Sequence, residues 1–269
     1  MKLLKDNLIS MGQGTPVVLL HSSMSSKLQW YQLMRSLSKD HLAIALDFYG
    51  FGASPFPTNP DTFSLSDEIA LVESLLENVF PADERFHMVG HSYGGAVGLR
   101  FCYQAEERVR SLTLFEPVAF HLLPKTSEEL AQVNQQQEIV NNYINQGNYA
   151  AAAGYFIDFY NEPGTFAGYP EEMQDILCQY VKKLPLGFQA LTGEPLSIDD
   201  YSKLKVPICL MAGRQSPLTS RCVSELLAHH LTNCRFHWVD GNHMAPLLQP
   251  GVVNPIIENF IRRTEIGAN

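Results

Sequence analysis

No two cysteines of this chain stand in a C-x-x-C pair, and the five present (Cys102, Cys178, Cys209, Cys222 and Cys234) are odd in number and widely spaced. That spacing excludes a disulfide framework and a zinc site as organising features, and the cysteines read as buried small hydrophobes in a reducing compartment. Basic residues are also scarce. Lys and Arg number 19 against 28 Asp and Glu, a net charge of −9, which sets nucleic acid and anionic membrane surfaces aside as partners. No stretch approaches the eighteen or so uncharged residues that a membrane span needs, and the apolar start MKLLKDNLIS is broken by Lys5 and Asp6. A cytoplasmic location is expected. H-x-H, HExxH and carboxylate clusters are missing, the adjacent His229 and His230 diverge from one helix, and no glycine-rich phosphate loop follows the first strand. Neither a metal nor a nucleotide cofactor is expected.

What remains is a 269-residue chain, 45% hydrophobic, long enough for one large core plus an insertion. Short apolar runs alternate with amphipathic ones, the rhythm of strand-helix-strand units and a mainly parallel sheet. Strands are predicted at 17–20, 42–46, 86–89, 112–115, 208–211 and 236–239. A helix is predicted from Ser64 or Ser66 with Ser64 and Asp67 as a capping pair, another around 221–230, and a closing one over 255–262. From Pro117 to about Lys205 the chain turns Gln-, Asn- and Tyr-rich, with helical patches at 128–145, 149–160 and 171–183. This stretch is read as a helical cap (117–205) over a core made of 1–116 and 206–269, and the break Asn161–Thr165 as a hinge within it.

The strongest local signal is Gly90-His91-Ser92-Tyr93-Gly94, a G-x-S-x-G that follows a strand and opens a helix. A sharp turn there would expose the Ser92 hydroxyl at a helix N-terminus, where negative charge is favoured. Serine needs a base, and the candidate is His243 in Asp240-Gly241-Asn242-His243, between the last strand and the last helix.

With His21-Ser22-Ser23 after an early strand, these segments resemble the α/β-hydrolase family over essentially the whole chain. The resemblance implies a mostly parallel, doubly wound sheet with a helical cap insertion, and a triad in the chain order Ser, acid, His. It also implies an oxyanion hole of two backbone N–H groups, from Tyr93 and from Ser23. The family's usual His-Gly in the early loop is His21-Ser22 here, which leaves the path of that loop open.

The acid is the difficulty. Most members carry it four residues into the turn after the strand that resumes behind the cap, and that position is Ser216. Some members take it from the strand before the cap. That strand ends Leu114-Phe115-Glu116-Pro117, so Glu116 is the assignment, at the carboxyl edge where parallel sheets place ligands. Asp47 reads as a loop-shaping residue, Asp199 and Asp200 as the hydrophilic exit from the cap, and Asp240 as the residue holding the His243 loop.

The aromatic residues of 117–205 exceed what a solvent-facing lid needs, and a subset should line an apolar pocket above Ser92. Ser22, His121, Phe156 and Tyr160 are the substrate-binding candidates, although His121 reads more readily as a packing or surface residue than as a substrate contact. Together these features point to a serine hydrolase acting by acyl transfer on a small or medium apolar ester-like molecule. Amide and carbon–carbon bond hydrolysis would use the same parts, and a pocket kept for ligand binding alone, or a partner-binding scaffold, are the readings from other classes.

Overall fold

The computed structural model describes residues 6–267; residues 1–5, the start of the expected core segment 1–116, lie outside the described part. Among the described residues seven strands form one sheet: β1 (Leu8–Met11), β2 (Thr15–Leu20), β3 (His41–Leu46), β4 (Phe86–His91), β5 (Val109–Phe115), β6 (Ile208–Gly213) and β7 (Cys234–Val239). Their order is β1-β3-β2-β4-β5-β6-β7, parallel except for β1, which runs antiparallel to β3 with Leu8 opposite Leu46. The sequence reading finds six of these and not β1, a four-residue edge strand too short and too broken by polar residues to show a period.

Eleven α-helices accompany the sheet among the described residues. In chain order they are α1 (Tyr31–Leu37), α2 (Leu65–Leu76), α3 (Tyr93–Gln104), α4 (Glu128–Asn145), α5 (Tyr149–Tyr160), α6 (Glu171–Tyr180), α7 (Leu184–Thr192), α8 (Ile198–Tyr201), α9 (Leu218–His230), α10 (Ala245–Leu248) and α11 (Pro250–Ile266). Alternate side chains of β2 show why the sheet is doubly wound. Val17 and Leu19 join a core with Trp30, Leu33, Ile257 and Ile261 on one face, while Val18 and Leu20 join a larger one with Val72, Leu75, Val97 and Phe101 on the other. Strands buried on both faces carry unbroken apolar runs, which is how Val17-Val18-Leu19-Leu20 reads.

Local chemistry sets the helix ends. Ser64 and Asp67 cap α2 reciprocally, as the sequence suggests. The closing helix is longer than the predicted 255–262, starting at Pro250 and carrying Pro255 inside it. Between β5 and β6 the described residues hold helices and turns and no strand, with α7 and α8 added to the expected patches. The expected hinge at Asn161–Thr165 is a braced turn: the Asp158 carboxylate accepts the N–H groups of Gly164 (2.8 Å) and Phe166 (2.9 Å). Of the five cysteines, all free, only Cys102 and Cys209 are fully buried; Cys178, Cys222 and Cys234 are half-buried. No helix among the described residues is long and apolar enough to cross a membrane.

The strand order positions the site. From β2 the chain moves to β3 on one side, then returns to place β4 on the other, so the carboxyl ends of β2 and β4 flank a point where the winding direction reverses. Crevices open at such points. The loop Ser22–Ser23 leaves β2 there, and Ser92 leaves β4.

Candidate active site

Ser92 sits between β4 and α3 with φ 55° and ψ −116°, a conformation that non-glycine residues avoid. The flanking glycines permit the turn. A Cβ on Gly90 would stand 2.4 Å from the Gly94 carbonyl oxygen, and one on Gly94 would stand 2.4 Å from that of Leu20. Besides Ser92, the only non-glycine residues with positive φ among those described are Met24 and Glu116, at 58° and 44°. All three lie at this sheet edge, where backbone strain marks a shaped site.

His243 follows β7 and is 2% exposed. Its Nε2 is 2.9 Å from Ser92 Oγ and its Nδ1 is 2.5 Å from Glu116 Oε2. The other carboxylate oxygen of Glu116 accepts the Gly213 N–H at 2.6 Å. Both oxygens of a fully buried carboxylate are therefore bonded, which offsets the cost of burying it. The turn after β6 thus supplies a backbone donor to the acid in place of an acid of its own. Ser216 is nearly buried, and its Oγ has no hydrogen-bond partner among the described residues.

The ring of Tyr160 packs 4.5 Å from that of His243 and His91 packs 5.0 Å away. His91 Nε2 lies 2.8 Å from the His243 carbonyl oxygen, which can only accept, so Nε2 carries the proton and Nδ1 accepts from Gln29 Nε2–H at 3.1 Å. Burial and the neighbouring His243 hold the pKa of His91 well below the usual histidine range, consistent with that neutral form. Gln29 Oε1 is then left to accept from Ser22 N–H (2.9 Å) and Ser22 Oγ–H (3.0 Å). One amide side chain ties the loop after β2 to the Ser92 turn and, through His91, to the loop of His243. Ser22 has no positive φ, so the loop takes a path that serine can follow.

His21, one residue earlier, anchors the same loop. Its Nδ1 donates to the Ser22 carbonyl at 2.7 Å and its Nε2 accepts the Phe48 N–H at 3.1 Å, while burial pulls its pKa down to about 4. Among the described residues neither the Ser23 nor the Tyr93 N–H donates to a protein acceptor, and Ser23 and Ser92 line the same cavity.

That cavity measures about 450 Å³ and is lined by Ser22, Ser23, Phe156, Tyr160 and Tyr180 among others, with no Asp, Glu, Lys or Arg among the described residues of its walls. A second recess of about 20 Å³ shares Ser23, Ser92, Phe156 and Tyr160 with it as lining residues.

Of the residues expected to contact substrate, Ser22, Phe156 and Tyr160 line the larger cavity with Ser92, and Tyr160 also packs on the His243 ring. His121 does not. Its Nδ1 lies 3.2 Å from the Leu191 carbonyl oxygen and its ring packs 6.0 Å from Tyr201, outside both cavities, with its pKa lowered by burial to about 4. The turn after Glu116 carries it away from Ser92. Asp240 also departs from expectation. Its side chain is 90% exposed and pairs with Arg214, while the loop of His243 is held by Asn242 Oδ1, which accepts the Met244 N–H at 2.9 Å. Asp47 accepts from Lys27 N–H (2.7 Å), Lys27 Nζ (2.5 Å) and Ala53 N–H (2.9 Å), which shapes the loop after β3. Gln29 and the apolar walls Leu177 and Met173 carry no signature in the sequence, because a single polar or apolar residue in a helical or loop stretch shows no period.

A family model described as the alpha/beta hydrolase fold matches residues 15–250. The mesoderm-specific transcript protein of Mus musculus is 34% identical over 104 residues, 38% of this chain and 31% of that protein; the matched segment spans about a third of that relative's length. The 3-oxoadipate enol-lactonase 2 of Acinetobacter baylyi is 21% identical over 264 residues, 96% of this chain and 93% of that protein. Among solved structures, MGS-M2, an alpha/beta hydrolase from a Medee basin deep-sea metagenome library, superposes with a TM-score of 0.80 at 18% identity, over 94% of this chain and 93% of that one, a likeness of fold.

Proposed function

This chain belongs to the α/β-hydrolase fold family, and from that premise we propose that it is a serine hydrolase acting by acyl transfer on an uncharged, small or medium apolar ester through a Ser92-His243-Glu116 triad. The observation that carries this reading is the hydrogen-bonded line from Glu116 through His243 to Ser92, ending at the floor of a cavity of about 450 Å³. The names of the enol-lactonase and of MGS-M2 agree with hydrolysis in general, and neither chooses the substrate.

In the proposed reaction His243 Nε2 takes the Ser92 proton as the hydroxyl oxygen attacks the ester carbonyl. Glu116 holds the Nδ1–H tautomer and stabilises the imidazolium. The negative charge on the former carbonyl oxygen falls to the free N–H groups of Tyr93 and Ser23, the first of them at the N-terminus of α3. The imidazolium then protonates the departing alcohol. Water, deprotonated by the same imidazole, attacks the acyl-enzyme, and collapse of the second tetrahedral adduct restores Ser92.

The substrate class rests on the walls. With no Asp, Glu, Lys or Arg among the described residues of the cavity walls, an ionised substrate would lose hydration with no partner to replace it. A neutral ester loses little. Residues 117–205 act in this proposal as a cap over a core of 1–116 and 206–269, and the five free cysteines agree with a cytosolic enzyme. Amide or carbon–carbon bond cleavage would use the same groups; the absence of a cation for a substrate carboxylate favours the ester. Steady-state rates on p-nitrophenyl esters from acetate to decanoate test the proposal. Saturable hydrolysis at short to medium chains, abolished by Ser92→Ala, is expected, and equal rates in the wild type and that variant would refute it.

A further inference from the structure

Lys183 is 1% exposed, at the end of the 3-10 turn Val181–Lys183 that joins α6 to α7. Its Nζ stands 3.1 Å from Glu68 Oε1 on α2 and donates to the Tyr93 hydroxyl at 3.1 Å. The Tyr93 hydroxyl in turn donates to the same Glu68 oxygen at 3.0 Å, closing a triangle. The second Glu68 oxygen accepts the Tyr49 N–H at 3.3 Å, and the ring of Phe63 lies 4.4 Å from the ammonium. The site is shaped for this side chain. Gly50 has φ +72°, and a Cβ there would stand 3.0 Å from both Cβ and Cγ of Lys183.

Burial pushes the Glu68 carboxyl up and the Lys183 ammonium down from their ordinary pKa values, while their mutual attraction opposes both shifts. An apolar pair of similar volume would hold the fold about as well as a buried ion pair, so stability alone does not account for it. Its particular product is a fixed tyrosine. Two torsions separate the Tyr93 hydroxyl from its backbone, and that hydroxyl both accepts from Lys183 and donates to Glu68. Tyr93 follows Ser92 directly and opens α3.

We propose that Lys183 is a positioning residue. Its ammonium, carried by the helices between β5 and β6, clamps the Tyr93 hydroxyl against Glu68, aims the Tyr93 backbone N–H at the reacting carbonyl oxygen, and so couples seating of those helices to the oxyanion site. Losing an oxyanion donor outright lowers turnover by about 10²–10³-fold; tilting one lowers it by part of that.

The clamp rests on the serine-hydrolase reading, and labelling of the wild type by a fluorophosphonate tests that reading separately. For the clamp, kcat and KM on p-nitrophenyl butyrate are compared, with thermal unfolding, for Tyr93→Phe, Lys183→Met and the double variant. Tyr93→Phe, which leaves the Glu68 to Lys183 pair in place, is expected to lower kcat about tenfold at unchanged KM and nearly unchanged Tm. The double variant is expected to be no slower than the slower single one, because both changes cut one link. Wild-type kcat in a folded Tyr93→Phe, or losses that multiply in the double variant, would overturn the proposal. Should Lys183→Met fail to fold with Glu68 left unpaired, Glu68→Gln/Lys183→Met takes its place with the same expectation.

Discussion

Glu116 Oε2 stands 2.5 Å from Nδ1 of His243 across 127 residues of chain. The contact joins the end of β5 to the loop after β7, two places that approach each other because β6 lies between them and its Gly213 N–H binds the other oxygen of the same carboxylate.

If that carboxylate orients the base, Glu116→Gln should lower kcat/KM by about 10³–10⁴-fold, or about 4–5.5 kcal/mol of transition-state stabilisation, with the fold intact. Ser216→Ala should change it less than about twofold, since its hydroxyl contacts no partner among the described residues. Steady-state kinetics on both purified variants check the pair. A crippled Ser216→Ala beside an active Glu116→Gln would reverse the assignment.

Gln29 accepts both Ser22 donors and reaches His91. Gln29→Ala should free the loop that carries the Ser23 N–H, and a loss of about 10–100-fold in kcat/KM is expected, less than for full removal of an oxyanion donor. Gln29→Glu separates shape from charge: it keeps the acceptor for Ser22 but withdraws the N–H that His91 Nδ1 receives. Its kcat/KM should fall between the wild type and Gln29→Ala.

Phe156 lines both the recess of about 20 Å³ and the main cavity. A recess of that size holds little more than one methyl-sized group. Phe156→Ala should join the two spaces and raise the rate on α-branched esters relative to straight-chain ones, at a stability cost of about 3 kcal/mol, the low end for a buried phenylalanine, because it already faces a cavity. Competition between isobutyrate and butyrate esters reads the ratio directly.

Stability should fall in mild acid. Burial lowers the pKa of His21 and of His87 to about 4, against 6.5 in an unfolded chain. Between those values the unfolded state binds the more protons, so stability is full above pH 6.5 and is lost as pH falls toward 4. By pH 5 each of these histidines should contribute a loss of about 2 kcal/mol. Urea midpoints at pH 7.5 and pH 5 measure the total, and His87→Gln should flatten the difference.

The sheet was legible because β2, β3 and β6 carry unbroken apolar runs, the runs at 86–89 in β4 and 112–115 in β5 are interrupted only once by a polar residue, and β7 alternates; the candidate nucleophile was legible because G-x-S-x-G fell between a strand and a helix. Placing Glu116 needed the strand before the helical segment to be counted correctly, which its run Leu112 to Phe115 allowed. The remainder depends on three-dimensional packing. Lys182 and Lys183 look alike in sequence, yet only Lys183 turns inward onto Glu68 and Tyr93. His121 follows Glu116 by five residues, but the 3-10 turn Phe120–Leu122 directs it to Leu191. Gln29 is one glutamine among many until the loop after β2 folds over it.

Intact-mass spectrometry after timed exposure to a fluorophosphonate tests the central claim most directly. One adduct per chain, located at Ser92, absent in Ser92→Ala and formed far more slowly in Glu116→Gln, is the expected result. Labelling of Glu116→Gln at the wild-type rate, or none of the wild type at Ser92, would contradict it.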